Sequence, residues 1–323
     1  LWQAGLNTRE DARTGPREAK ELLLSKTAIG HRLKSLPGIA KARLAFYRRR
    51  YIFPALCSYS PGRAFVQRYR IAFVNESADF FLLSFPKCGR TWLRLMVGRA
   101  LALRLDLENL DLMELERMHK VSPAVPRISV THDDDPQWKT AGQLLRAKTE
   151  YRGKRVVLLV RDPRDVVVSN YFQKTRRRKD YRGDLSSFLH QEKGSVDTCI
   201  QFFNIWAENR HVPSEFALVR YEDMHADPHA ELKRVVRLLG IDEIGEGIVE
   251  QAVEYARFDN MRRMETEGSF RSSRLRPRDM EDAESFKTRR GKVGGFVDYL
   301  SDEDVRYLNQ KVRSELSDFY GYK

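Results

Sequence analysis

"FLLSFPKCGRTWLRLMVGRAL", Phe81 to Leu101, decides how the rest of the chain is read. It opens as an apolar run of the kind found in strands buried on both faces, and the run stops at Pro86. A loop with Lys87 and Gly89 follows, then Thr91 and Trp92 lead into apolar residues at helical spacing. Strand, short glycine loop and helix start form a phosphate-holding arrangement. The glycine allows close backbone approach, the first helical turn offers N–H groups and a positive dipole end, and Lys87 adds a cation. The loop is not G-x-x-x-x-G-K-[ST], because its lysine precedes the glycine. A tight turn with an incidental lysine is the plain alternative.

Outward from this stretch, strands alternate with helices, the pattern of a mostly parallel sheet in an α/β domain. Residues 79–85, 127–132, 154–162 and 215–223 read as strands, the third ("KRVVLLVRD") as the central one. Helices are expected over 91–105, through "DPRDVVVSNYFQKTRR", over 229–240 and 246–258, and from about Ser301 to near Tyr320. Residues 266–295 are polar and rich in Arg, Ser and Gly, and read as a long loop. The expected organisation is one α/β domain over 76–323 behind an extension over 1–75.

The net charge of +13 sits in that extension. Residues 1–75 hold fifteen Lys and Arg against four Asp and Glu, a surplus of eleven that leaves the rest near +2. A nucleic-acid enzyme would carry its basic groove in the working domain, so nucleic acid is not the expected partner. The extension has apolar residues interleaved among its cations on either side of Pro37, which fits either a solvated arm or a peripheral contact with an anionic membrane. The whole chain has three cysteines, Cys57, Cys88 and Cys199, which make neither a disulfide framework nor a zinc pattern. No apolar run is long enough to span a membrane and none has the form of a signal peptide, so a cytoplasmic location is expected.

Two further stretches carry chemistry. In "VVLLVRDPRDVVVSNYF" (156–172), Arg161 ends the central strand and Ser169 follows two helical turns on. Ligands bind at strand ends of open parallel sheets, and an arginine with a hydroxyl suits a phosphate. The bland reading pairs Arg161 with Asp162 or Asp165. "TRRGKVGGFVDYLS" (288–301) places two arginines among three glycines, a combination that suits closure over an anion.

Together and in this order, the three stretches resemble the sulfotransferases that use 3′-phosphoadenosine 5′-phosphosulfate (PAPS), of the cytosolic type. "PRISVTH" resembles the family segment that ends in its catalytic histidine, here His132, and "RYEDM" (220–224) and "RFDNM" (257–261) resemble its cofactor contacts. The resemblance runs from about residue 79 to the C-terminus. It implies a P-loop-kinase-like fold and direct in-line sulfuryl transfer to an acceptor hydroxyl or amine. It implies no metal, and adenosine 3′,5′-bisphosphate (PAP) as product. It places Lys87, Cys88, Gly89, Arg90, Thr91 and Trp92 around the 5′-phosphosulfate, with Trp92 against the adenine. Arg161, Ser169, Arg289, Arg290 and Gly291 would hold the 3′-phosphate, and Tyr221, Phe258 and Met261 would line the adenine. His132 would act as general base, and Lys87 would stabilise the leaving phosphate.

Departures from the family pattern are Cys88 for Ser, Arg90 for Thr, Val130 for a Lys before the histidine, and Phe296 for Trp. The C-terminal stretch lacks the family's dimer motif. Beside Lys87 and a helix N-terminus, Cys88 is expected to have a lowered pKa and to be shielded from alkylation by nucleotide. The acceptor is expected against loops 106–126, 173–200 and 262–288. If the basic cluster "KTRRRKDYRGD" lines that pocket, the acceptor is polar or anionic, such as a sugar or lipid-linked glycan. His225 and His229 read as surface residues.

Other classes stay in view. Asp133, Asp134 and Asp135 could hold a divalent metal and a nucleotide-sugar diphosphate, as in glycosyltransferases, or form a solvated acidic loop before a helix over 137–148. A P-loop kinase is the nearer rival. A binding protein with a decayed catalytic body is opposed by the retention of Lys87, His132, Arg161 and Ser169.

Overall fold

The computed structural model describes residues 77–108, 110–270 and 275–323. The basic extension and Cys57 lie outside these, so the readings made for them are not addressed by the fold.

Four parallel strands form one sheet in the order β2-β1-β3-β4: β1 (Phe80–Ser84), β2 (Ile128–Thr131), β3 (Arg155–Val160) and β4 (Glu215–Arg220). Phe80 pairs with Ile128 on one side and Arg155 on the other, and Arg155 pairs with Glu215. The strands therefore start level, and their C-terminal ends emerge along one edge. All of β1 is buried, as is β3 after its first residue. Successive side chains of a strand face opposite ways, so both faces of the sheet are covered, which explains the continuous apolar runs.

The helices are α1 (Arg90–Arg104), α2 (Leu115–Val121), α3 (Pro163–Phe172), α4 (Leu185–Leu189), α5 (Val196–Asn209), α6 (Tyr221–Ala226), α7 (Pro228–Leu238), α8 (Glu246–Tyr255), α9 (Phe258–Glu267) and α10 (Asp302–Glu315). α1 packs with α7 and α8, while α3 packs with α5 and α10. A π-helical turn, Gln173–Arg178, continues α3.

Differences from the sequence reading are local. α5 falls across a region read as loop up to residue 200. Its apolar residues recur at helical spacing, and Phe202, Phe203 and Trp206 are buried. α9 occupies the start of the expected 262–288 loop and buries only Met261, Met264 and Glu265, too narrow a stripe to stand out. The helix expected over 137–148 is two short 3₁₀ turns, Pro136–Trp138 and Ala141–Gln143.

Candidate active site

The C-terminal ends of the strands open into a cleft of about 780 Å³. Eleven Lys and Arg residues line it against two Asp, Asp165 and Asp259. Its ligand is therefore anionic.

The loop between β1 and α1 forms one wall. Lys87 (φ 77°) and Gly89 (φ 93°) both take left-handed backbone conformations. A Cβ on residue 89 would lie 2.5 Å from the Tyr221 ring, so glycine is required for the loop to pass that aromatic. α1 begins at Arg90 with no side-chain cap, leaving the first turn facing the cleft. The Lys87 ammonium donates to Gln173 Oε1 at 3.1 Å. Burial, and then the neighbouring Lys287, Arg177, Arg289 and Arg161, push its pKa well below the usual lysine value.

Cys88 corrects an expectation. Its side chain is fully buried in the core and does not line the cleft. Burial pushes the thiol pKa up, outweighing Arg161 and Arg90, which act the other way. Position 88 can serve an anion through its backbone alone.

Trp92 lines the cleft with Tyr221 and His225 around it, at ring-centroid distances of 5.8 and 5.0 Å. Phe258 and Met261 line the same end, as expected. His225 is an exposed residue, in line with the surface reading, but its ring borders the cleft 4.7 Å from the Tyr221 ring, and partial burial there and Arg161 lower its pKa. His229, partly exposed and paired with Glu250, fits that reading as well.

The second and third stretches meet. Arg161 bonds Asp165 at 3.1 Å and the Lys292 carbonyl at 2.8 Å, and its guanidinium lies 4.3 Å from the Tyr221 ring centroid. The pairing with Asp165 and the position in the cleft are thus both realised. Nε of Arg161 is buried with no hydrogen-bond partner among the described residues, and Ser169 also lines the cleft.

Asp165 accepts from the N–H groups of Gly294 and Phe296, both at 2.9 Å. At the other end of the loop, the buried Glu265 accepts from the N–H groups of Lys287 (2.6 Å) and Thr288 (2.9 Å) and from Arg177 (3.1 Å). Two buried carboxylates, one on α3 and one on α9, therefore peg the segment that carries Arg289, Arg290 and Gly291. Arg289 rests on the Phe172 and Tyr299 rings and pairs with Glu284 at 2.9 Å. Arg290 is half-exposed beside Asp298. A Cβ at Gly291 (φ 63°) would meet the Phe258 ring at 2.8 Å.

At the centre, His132 follows β2. Its Nδ1 lies 2.9 Å from the Ser84 carbonyl and its Nε2 lies 2.8 Å from Arg90 Nη2. A carbonyl can only accept and a guanidinium can only donate, so the ring is neutral with its proton on Nδ1 and the Nε2 lone pair turned to the cleft. Burial and then the Arg90 charge push its pKa well below the usual histidine value.

The acidic triplet is structural. Asp133, Asp134 and Asp135 take φ of 47°, 56° and 50°, three consecutive left-handed residues that Asp tolerates better than most. The buried Asp133 carboxylate receives Tyr151 OH (2.7 Å), Trp206 Nε1 (3.0 Å) and Lys148 Nζ (2.7 Å), and Asp134 binds Lys139 and the Leu145 N–H. These bonds commit two of the three carboxylates that a metal-dependent glycosyltransferase would draw on, and no group of three or more potential metal ligands forms among the described residues. The turn holds the chain immediately after His132.

The sequence reading missed Lys287, Tyr299, Gln137, Trp138, Gln173, Lys174 and Arg178 as individual lining residues. The basic run at 174–182, the expected acceptor loops 173–200 and 262–288, and the 288–301 stretch pointed at all but Gln137 and Trp138.

Comparison with known proteins agrees with this geometry. The family described as sulfotransferase domain matches residues 77–320. The chain is 25% identical over 271 residues to cytosolic sulfotransferase 16 of Arabidopsis thaliana, covering 76% of this chain and 78% of that protein. It is 22% identical over 266 residues to flavonol 4′-sulfotransferase of Flaveria chlorifolia, covering 76% and 81%. Among solved structures, a mouse sulfotransferase complexed with PAP superposes with a TM-score of 0.52 at 17% identity, covering 76% of this chain and 88% of that one. A retinol dehydratase in complex with retinol and PAP gives 0.51 at 18%, covering 75% and 82%.

Proposed function

Since this chain belongs to the sulfotransferase-domain family, we propose an assignment of its cleft to sulfuryl transfer from PAPS. The chain is a PAPS-dependent sulfotransferase. The Trp92, Tyr221, Phe258 and Met261 end takes the adenine. Arg161 with its unpartnered Nε, Ser169 and the pegged Arg289–Arg290–Gly291 segment take the 3′-phosphate. Lys87, Arg90, Thr91 and the first turn of α1 take the 5′-phosphosulfate.

The observation that carries the assignment is the neutral His132, its Nε2 lone pair turned into a cationic cleft beside Lys87. His132 accepts the acceptor hydroxyl's proton at Nε2, while the Ser84 carbonyl holds Nδ1–H and fixes the ring. Arg90 occupies that lone pair in this structure, so its guanidinium must turn aside before the base can act. The phosphosulfate is the anion nearest to draw it away. Lys87 stabilises charge on the leaving phosphate, and an anion arriving beside it offsets the burial and neighbouring cations that depress its pKa.

The test is transfer from PAPS to a panel of hydroxylic acceptors in EDTA. Wild type transfers, whereas His132→Ala binds PAP normally and does not. Transfer by His132→Ala at the wild-type rate removes the base assignment. We also assign residues 1–75, on charge alone, a peripheral contact with anionic membrane. Co-sedimentation of the full chain with anionic but not neutral vesicles at low salt supports it, and equal sedimentation with both removes it.

A further inference from the structure

Beyond the His132–Lys87 centre the cleft continues into a second end, formed by the 3₁₀ turn Pro136–Trp138 and the π-helical turn Gln173–Arg178. Gln173, bonded to Lys87, joins this end to the transfer point. π turns are rare and concentrate at functional sites. This one, with its wider i→i+5 repeat, presents Gln173, Lys174 and Arg178 to the same cavity.

Lys174 is the unusual group. It lines the cleft yet is only 8% exposed. No carboxylate lies within 4.0 Å of its ammonium among the described residues, and its one hydrogen bond is a long one, 3.4 Å to the Lys193 carbonyl. A buried ammonium with no carboxylate in direct contact is costly, and burial lowers its pKa although Asp180 acts the other way. Arg178 lies 4.3 Å from the Trp138 ring centroid and Lys174 lies 5.8 Å from it, so the exposed indole carries two cations on its surface. Asp180 pairs with Arg178 at 2.6 Å and acts on Lys174 only at longer range, so the two cations share one carboxylate. Among the described residues no acidic side chain lines this end of the cleft, Asp180 standing behind Arg178.

We infer that the acceptor is a small hydroxylic molecule that also bears an anionic group, a carboxylate or a sulfate ester, received by Lys174 and Arg178 beside Trp138 while its hydroxyl meets His132. This rests on the assignment of the other end to the sulfuryl donor. The anion supplies the direct ionic contact that Lys174 lacks, so neutral phenols and alcohols of the same shape are the poorer acceptors.

The experiment uses the full chain saturated with PAP, which occupies the donor end. Two matched pairs are titrated by calorimetry: 4-hydroxyphenylacetate against its amide, and 4-hydroxyphenyl sulfate against 4-methoxyphenol. A charge-assisted contact predicts that an anionic member binds about tenfold tighter or more than its neutral partner. The pair showing the larger ratio identifies the anion. In Lys174→Met and Arg178→Gln the preference falls toward unity while PAP affinity is kept, which also reports that the variants are folded. Equal binding within both pairs, no binding by any member, or a preference that survives both substitutions overturns the inference. So does a loss of PAP affinity in Lys174→Met, which would give the ammonium to the donor. Failure of wild type to bind PAP at all is a different result, and it strikes the donor assignment instead.

Discussion

Removing the Asp165 carboxylate tests whether the glycine loop is part of the donor site or only lies near it. Asp165 is 3% exposed and receives Arg161 at 3.1 Å and two loop N–H groups at 2.9 Å each. In Asp165→Ala the two loop N–H groups lose their acceptor and Arg161 loses its counter-charge, keeping only the Lys292 carbonyl. Breaking a buried charge pair costs about 3–5 kcal/mol, and each buried N–H left unpaired costs about 1–3 kcal/mol. These costs do not add fully, because the segment can lift off and let its N–H groups reach water. The expected total is therefore about 3–5 kcal/mol, felt mainly as detachment of the segment that holds Arg289 and Arg290. Since about 1.4 kcal/mol is a factor of ten, the Kd for PAP should rise by roughly a hundredfold or more. A domain of this size should also melt lower, by about 2–4 °C for each kcal/mol that remains coupled to global unfolding. Asp165→Asn keeps one acceptor oxygen and should lose less on both measures. Calorimetric titration with PAP alongside a thermal melt separates the effects. If Asp165→Ala melts early but binds PAP as wild type does, the loop is a structural staple and the argument for it as a donor contact fails.

Other outcomes follow from the same geometry. The depressed pKa of His132 keeps the base neutral to lower pH than an ordinary imidazole. The acid limb of kcat/KM should therefore lie below the unperturbed value of about 6.5, and a limb above it would contradict the placement against Arg90. Removing the positive charge in Arg90→Gln should move that limb to higher pH. Asp133→Ala leaves the buried Lys148, Tyr151 OH and Trp206 N–H without their acceptor, so a stability loss of about 3–5 kcal/mol is expected in denaturant titration. Added Mn²⁺ or Mg²⁺ should change neither the wild-type melt nor transfer; metal-dependent gain in wild type that is absent in the variant would restore a metal role for the triplet. Cys88 should resist iodoacetamide in the folded chain with or without PAP, as peptide mapping would show, and rapid nucleotide-sensitive labelling would contradict its burial.

The parts of this architecture that were legible in the sequence are those written in local pattern. β1 and β3 stand out because strands buried on both faces read as unbroken apolar runs, and the residues expected to bind ligand follow directly at strand ends. Lys87, His132 and Arg161 reach one cleft because the strands start level. What was hidden depends on partners far along the chain. Nothing local distinguishes Asp133 as a buried acceptor for Lys148, Tyr151 and Trp206 from a metal-binding aspartate. Glu265 lies on a helix too polar to look buried, yet it organises Lys287 and Thr288, and nothing local to the surface residue His225 shows that its ring packs beside Trp92 and Tyr221. Cys88 was misjudged because loop position and helix dipole argue for reactivity while burial, a tertiary property, decides against it.

The most direct test of the account is calorimetric binding of PAP to the full chain in EDTA, with ATP and UDP compared in Mg²⁺. The account predicts metal-independent binding of PAP that is tighter than either competitor and is lost in Arg161→Ala, because the 3′-phosphate is what Arg161, Ser169 and the pegged loop are built to hold. Binding of ATP or UDP in preference to PAP, or dependence on Mg²⁺, would contradict it.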